Sequence, residues 1–138
     1  MRKLVSFLII MVCIAQTAQA SMVDLKALAM VESSGNPAAV GDKGRALGLF
    51  QAHAGCVSDV NRALGTKYSH RDVLDPEVAV VVASAYLEGV IPGYLKHYGI
   101  KDTLENRLTA YNMGIGAVVK GKKATKYISA YRRYANGN

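Results

Sequence analysis

The sequence predicts one mainly helical domain of the α+β kind, carrying a single small β-hairpin. Three observations predict it. Apolar residues recur at helical spacing along most of the chain. Three of those runs open on capping signatures. Turn-forming glycines at 41, 44 and 48 crowd into one short stretch between apolar runs.

Taken in order, residues 1–20 read as a cleavable signal peptide. Arg2 and Lys3 precede an apolar run from Leu4 to Ala15, and Ala18-Gln19-Ala20 offers a cleavage site before Ser21. The run is too short for a comfortable membrane span, and Ile10-Met11-Val12 lacks the small residues expected before a lipidated Cys13. The expected product is exported, periplasmic or extracellular, with no stable membrane anchor after cleavage. Removing 20 of 138 residues leaves 118, residues 21–138, enough for one domain with one core.

Ser21, with Asp24 three residues on, resembles a capping box opening the first helix. On that helix Leu25, Leu28 and Ala29 form an apolar stripe, and Glu32 falls on the same face. Ser34-Gly35-Asn36-Pro37 stops it. The stretch from Val40 to Gly44 has turn chemistry, so Ala46 to Phe50 can pair back as a hairpin. Cys56, Val57, Val60 and Leu64 mark a second helix ended by Gly65.

After a polar segment from Thr66, Asp75-Pro76-Glu77 begins a third helix. Its run from Val78 to Ile91 is apolar nearly all round, as a central helix should be. Four valines in five positions also suit a strand, but length and the helix start favour helix. Pro92-Gly93 should break or kink it before Tyr94 to Tyr98. The signature from Asp102 to Glu105 introduces a helix through Tyr111, interrupted by Gly114 and Gly116. A loop from Lys120 to Lys123 follows. Tyr127, Ile128, Tyr131 and Tyr134 then share one face of a last helix and read as the edge of a core.

Charge narrows the partners. Taking Arg2 and Lys3 from 17 basic side chains leaves 15 against 10 acidic ones, a net charge of about +5. No acidic residue follows Glu105, whereas seven basic ones do. A basic half suits a polyanionic partner as well as it suits an ordinary solvated face. For an exported protein the carboxylate-bearing bacterial wall is the fitting polyanion, and nucleic acid is not expected. One cysteine, Cys56, survives cleavage, so no intrachain disulfide can form. His53 and Cys56 have a spacing metals can use, but two ligands are too few. Neither a metal nor a cofactor is expected.

The candidate chemistry centres on Glu32. A carboxylate on a core-facing stripe loses hydration, and at the end of a helix it meets the negative pole of the backbone dipole. Both effects favour the protonated form, the setting of a general acid.

Glu32-Ser33, then Gly48-Leu49-Phe50-Gln51, then Ala110-Tyr111-Asn112 resemble, in order and approximate spacing, the three motifs of the soluble lytic transglycosylases, members of the lysozyme-like superfamily. The resemblance covers most of the chain after residue 20. It implies a lysozyme-like fold whose hairpin forms one wall of a glycan cleft, and a peptidoglycan strand as substrate. It also implies Glu32 as catalytic acid and base, with Ser33, Gln51, Tyr111 and Asn112 binding the sugar. In such enzymes the sugar's own 6-hydroxyl closes a 1,6-anhydromuramic end, so no second carboxylate is needed. Two departures bear on the cleft: Ala52-His53-Ala54 stands where many relatives carry an Ile-x-Pro-like tail, and Met113 follows the third motif.

Two alternatives stay open at this point. Asp42, ten residues after Glu32 in the hairpin turn, can serve as the second carboxylate of a hydrolysing muramidase. Alternatively, the fold can serve as a non-catalytic wall-binding part of a secretion machine or virion, with partners in the cell envelope.

Overall fold

The computed structural model describes residues 23–137. The signal peptide, Cys13 and Ser21 lie outside the described residues. The fold is mainly helical, with one two-stranded antiparallel hairpin.

Helix α1 spans Leu25–Ser33. Its cap is Asp24 itself, whose side chain accepts from the Ala27 N–H at 3.0 Å. Asp24 is thus the N-cap, where the sequence reading made it the partner of a capping Ser21. Ser34 ends the helix in the left-handed conformation, its N–H returning to the Ala29 and Met30 carbonyls. Strands β1 (Val40–Gly41) and β2 (Ala46–Leu47) follow, joined by a 3-10 turn over Asp42–Gly44. Val40 faces Leu47 and Gly41 faces Ala46, so the expected hairpin forms but is shorter. Helix α2 is Ala54–Leu64, stopped by a left-handed Gly65.

A 3-10 turn at His70–Leu74 leads to helix α3, Pro76–Ala85, capped by Asp75 as its sequence predicts. The chain then refines one expectation. The α-helix is interrupted ahead of Pro92, but the helical run does not stop there: a π-helical segment at Tyr86–Val90 passes directly into α4, Ile91–His97. The irregularity falls just ahead of the proline. An α-turn there would press the Pro92 ring against the Glu88 carbonyl, and the wider turn, with Ile91 N–H bonded back to Tyr86, opens that space. The whole run Pro76–His97 is long and apolar enough to cross a membrane. Here it is the central helix, burying Ala79, Val82, Ala83, Leu87, Ile91 and Leu95.

Helices α5 (Leu104–Met113), α6 (Ile115–Val119) and α7 (Thr125–Ala135) complete the chain. Gly114, at φ 85°, separates α5 from α6. Gly116, expected to interrupt as well, lies inside α6, where no such conformation is needed.

Two apolar clusters result. The larger joins α1, Phe50, the central helix, α5 and α7. The smaller joins β2, α2, Val73 and Val82. Tyr86, at the start of the π segment, packs against both. Helices α1 and α7 run antiparallel: the Asp24 N–H donates to the Tyr131 hydroxyl at 2.7 Å, while Glu32, near the other end of α1, meets Tyr127.

Candidate active site

The three sequence motifs are stitched together by two hydroxyls. Ser33 Oγ, at the end of α1, donates to the Leu49 carbonyl at 2.8 Å. Tyr111 Oη, from α5, donates to the Phe50 carbonyl at 2.6 Å. The segment following β2 is therefore pinned from both sides. Phe50 drives its ring into the larger core, and Gly48 supplies the tight approach, since its φ is 77° and a Cβ there would strike the Val73 carbonyl.

Glu32, Asp42, Gln51, Tyr111 and Asn112 line one cavity of about 270 Å³, together with Ala46 and His53. Ser33 is not among them. Gln51, at φ 48°, turns its amide N–H group toward the Gly48 and Ala39 carbonyls, at 3.0 and 3.3 Å, which ties it to the hairpin. Asn112 is exposed. Asp42 reaches the cavity from the hairpin turn, but Arg45 pairs with it at 2.7 Å and His53 Nε2 lies 3.6 Å from its other oxygen. A second basin of about 360 Å³ adjoins the first, sharing Gln51, His53, Tyr111 and Asn112 and extending to Cys56, Asp59 and Tyr86.

Two residues at this site were not legible as such in the sequence. Tyr127 Oη donates to Glu32 Oε1 at 2.5 Å across 95 residues of chain. Its place on a tyrosine-bearing helix face suggested core packing, and no local signal links it to Glu32. His53, read in the sequence as a metal ligand too few in partners and as part of a departure from the second motif's usual tail, lines both basins. Among the described residues no cluster of His, Cys, Asp and Glu could hold a metal ion.

The electrostatics of Glu32 follow from this packing. Burial raises its carboxyl above the ordinary value, and the hydrogen bond from Tyr127 pulls less strongly the other way. Burial also raises the Tyr127 phenol, and the neighbouring Glu32 charge adds to the shift. Tyr127 is therefore a permanent donor. Tyr111 is likewise raised, chiefly by burial. Cys56 is pushed up to about 12, first by burial and then by Asp59, so it is an inert thiol lining a wall. Chemically, the cavity offers a half-buried carboxyl oriented by a phenol, beside amide and hydroxyl groups on a pinned backbone.

Comparison with known proteins agrees with this geometry at the level of family. The family described as the transglycosylase SLT domain matches residues 12–133. No curated protein and no solved structure matches the chain. The family match begins inside the stretch read as a signal peptide and ends near the close of α7.

Proposed function

The chain belongs to the transglycosylase SLT family, lytic transglycosylases that act on peptidoglycan, and from that premise we propose that Glu32 is its single catalytic acid and base. The observation carrying this reading is the setting of Glu32: half-buried, raised by burial, and held by a phenol that stays protonated.

The reaction proceeds on that carboxyl alone. Neutral Glu32 gives its proton to the glycosidic oxygen between N-acetylmuramic acid and N-acetylglucosamine, and the C1–O bond breaks with its electron pair leaving on that oxygen. The resulting carboxylate removes the proton of the muramyl 6-hydroxyl as O6 bonds to C1. The acid is thereby restored and the strand ends in 1,6-anhydromuramic acid. Tyr127 positions the carboxyl and stabilises it while charged. Gln51, Tyr111 and Asn112 line the sugar-binding wall, and Ser33 acts through the Leu49 backbone. Export through residues 1–20 puts the domain, residues 21–138, where its substrate is.

A second reading deserves a test because Asp42 lines the same cavity. As a second carboxylate it would direct water, giving a hydrolysing muramidase. Its pairing with Arg45 argues for a local role in the turn. Mass analysis of released muropeptides separates the two. The single-carboxylate reaction gives ends lighter by one water than hydrolysed ends, and Asp42→Asn leaves their kind unchanged. Reducing ends lost in Asp42→Asn would establish the muramidase.

A further inference from the structure

The net charge of the domain is not spread evenly over it. Lys120, Lys122, Lys123, Lys126, Arg132 and Arg133 lie on the turn after α6 or on α7, and all six are exposed. Among the described residues one carboxylate, Glu105, pairs with any of them: Lys123 and Arg132 each reach it at 2.7 Å. Removing these six from the 15 cations of residues 21–138, and Glu105 from the 10 carboxylates, leaves nine of each. The whole excess charge of the domain therefore sits on the α6–α7 turn and α7. The turn is an ordered one: the Gly121 and Lys122 N–H groups both return to carbonyls of α6, Val118 and Ala117, at 2.9 Å.

On α7, Lys126, Ser129 and Arg133 follow the helical repeat and form its outer side, with the two cations roughly 10 Å apart along the axis. Ile128 and Tyr131 are buried on the inner side, and Tyr127 reaches Glu32. One helix thus closes on the catalytic carboxyl and turns a basic side outward. None of the six cations lines the Glu32 cavity or the basin beside it. Attraction through them acts on where the protein sits and leaves the chemistry untouched.

The character of the surface selects its partner. Binding flat on a lipid surface calls for large apolar side chains alongside the cations. Here the exposed ones are Val119 and Tyr134, at the two ends of the stretch, and Ser129 stands between Lys126 and Arg133. A hydrated mesh of carboxylates, as the peptides of the bacterial wall present, suits cations distributed in this way. We propose that the α6–α7 turn and the outer side of α7 dock the protein electrostatically onto the peptide carboxylates of the wall, apart from the cleft that cuts its glycan. The inference rests on the reading of peptidoglycan as the substrate. Its consequence is retention on the insoluble wall through contacts that the reacting sugars do not make.

The test measures co-sedimentation of the full chain with purified sacculi free of attached polymers, with Glu32→Gln present throughout so that the sacculi persist. Lys120→Gln, Lys122→Gln, Lys126→Gln and Arg133→Gln are combined, which leaves Lys123 and Arg132 on Glu105. All four positions are exposed, so the variant should fold. At about 0.02 M salt its affinity should fall by about tenfold, the combined scale of four exposed ion pairs, and at about 0.5 M salt the two chains should bind alike. Sacculi whose carboxylates have been amidated should hold the unsubstituted surface no better than intact sacculi hold the variant. Equal binding of the two chains at low salt overturns the proposal, as does undiminished binding to amidated sacculi. So does tighter binding of the unsubstituted surface to phosphatidylglycerol vesicles than to sacculi, which would make a lipid bilayer the partner. The reading of the cleft fails separately: if the chain with native Glu32 releases no muropeptides, that reading falls whatever the sedimentation shows.

Discussion

Glu32 and Glu88 are both glutamates on helices, each bonded to a residue far away in sequence. Their partners set them apart. Glu32 accepts from the Tyr127 phenol, and among the described residues no cation pairs with it. Glu88 accepts from the Arg107 guanidinium at 2.5 Å and from the Val23 N–H at 3.1 Å. Arg107 is 5 % exposed and also grips Asp102 through two bonds, at 2.7 and 2.8 Å. Asp102 is accordingly held below the ordinary carboxylate value, mainly by its hydrogen bonds to Arg107. The same residue type thus meets a neutral phenol in one place and forms part of a charged brace in another. Burial raises the Glu32 carboxyl, whereas the Arg107 guanidinium lowers that of Asp102, which shares this cation with Glu88. The brace joins the π segment, the approach to α5 and the start of α1, and so supports the helix that carries Glu32.

The sharpest break of this comparison is removal of each centre in turn. Glu32→Gln keeps shape but cannot exchange the proton, so cleavage of peptidoglycan in a zymogram should fall by about 10²–10⁴-fold with no drop in melting temperature. Arg107→Met should do the opposite. It leaves Glu88 and Asp102 without their cation, and since both keep some water contact the loss should sit near the low end for a broken buried pair, about 3 kcal/mol in a denaturant titration. Activity of the fraction that remains folded should persist. If Arg107→Met left stability intact, the cluster would be an ornament of the surface rather than a brace.

How much of this was legible in the sequence depended on range. Asp75-Pro76 fixed a helix start because capping is a matter of a few adjacent residues. Glu32, Gln51, Tyr111 and Asn112 were found through ordered motifs, and they converge on one cavity. Pro92 marked an interruption of the α-helix but not its form, because the π turn at Tyr86–Val90 relieves the conflict without stopping the helical run. Gly116 misled because a glycine is compatible with a helix as well as with a break. Tyr127 was missed because its partner lies 95 residues away, on a helix packed against α1 by contacts that no local pattern encodes. Arg107 was read as one of several surface cations, yet it is buried. The basic half is less uniform than its composition implied: Lys123 and Arg132 both pair with Glu105 at 2.7 Å.

A smaller effect sharpens the comparison by its sign. Glu32 is raised on folding, so the stability linked to its neutral form is complete below about pH 4 and declines as pH rises through its folded value. Asp102 is lowered, so its contribution is complete above about pH 4 and declines as pH falls through its folded value. Melting curves across pH should therefore show Glu32→Gln gaining on the unmodified chain toward neutral pH. Asp102→Asn should instead lose the acid-side decline. Both variants shifting in the same direction would mean that the two carboxyls are not opposed.

The central claim is that burial keeps Glu32 protonated above the range of ordinary glutamates, against the pull of Tyr127. Carbon-13 NMR titration of the glutamate side-chain carboxyls measures this directly, with Glu32 assigned by its absence from the Glu32→Gln spectrum. The account predicts a Glu32 midpoint above about 4.3, the ordinary glutamate value, moving higher still in Tyr127→Phe, where the lowering hydrogen bond is gone. A midpoint at or below the ordinary value in the unmodified chain would contradict it.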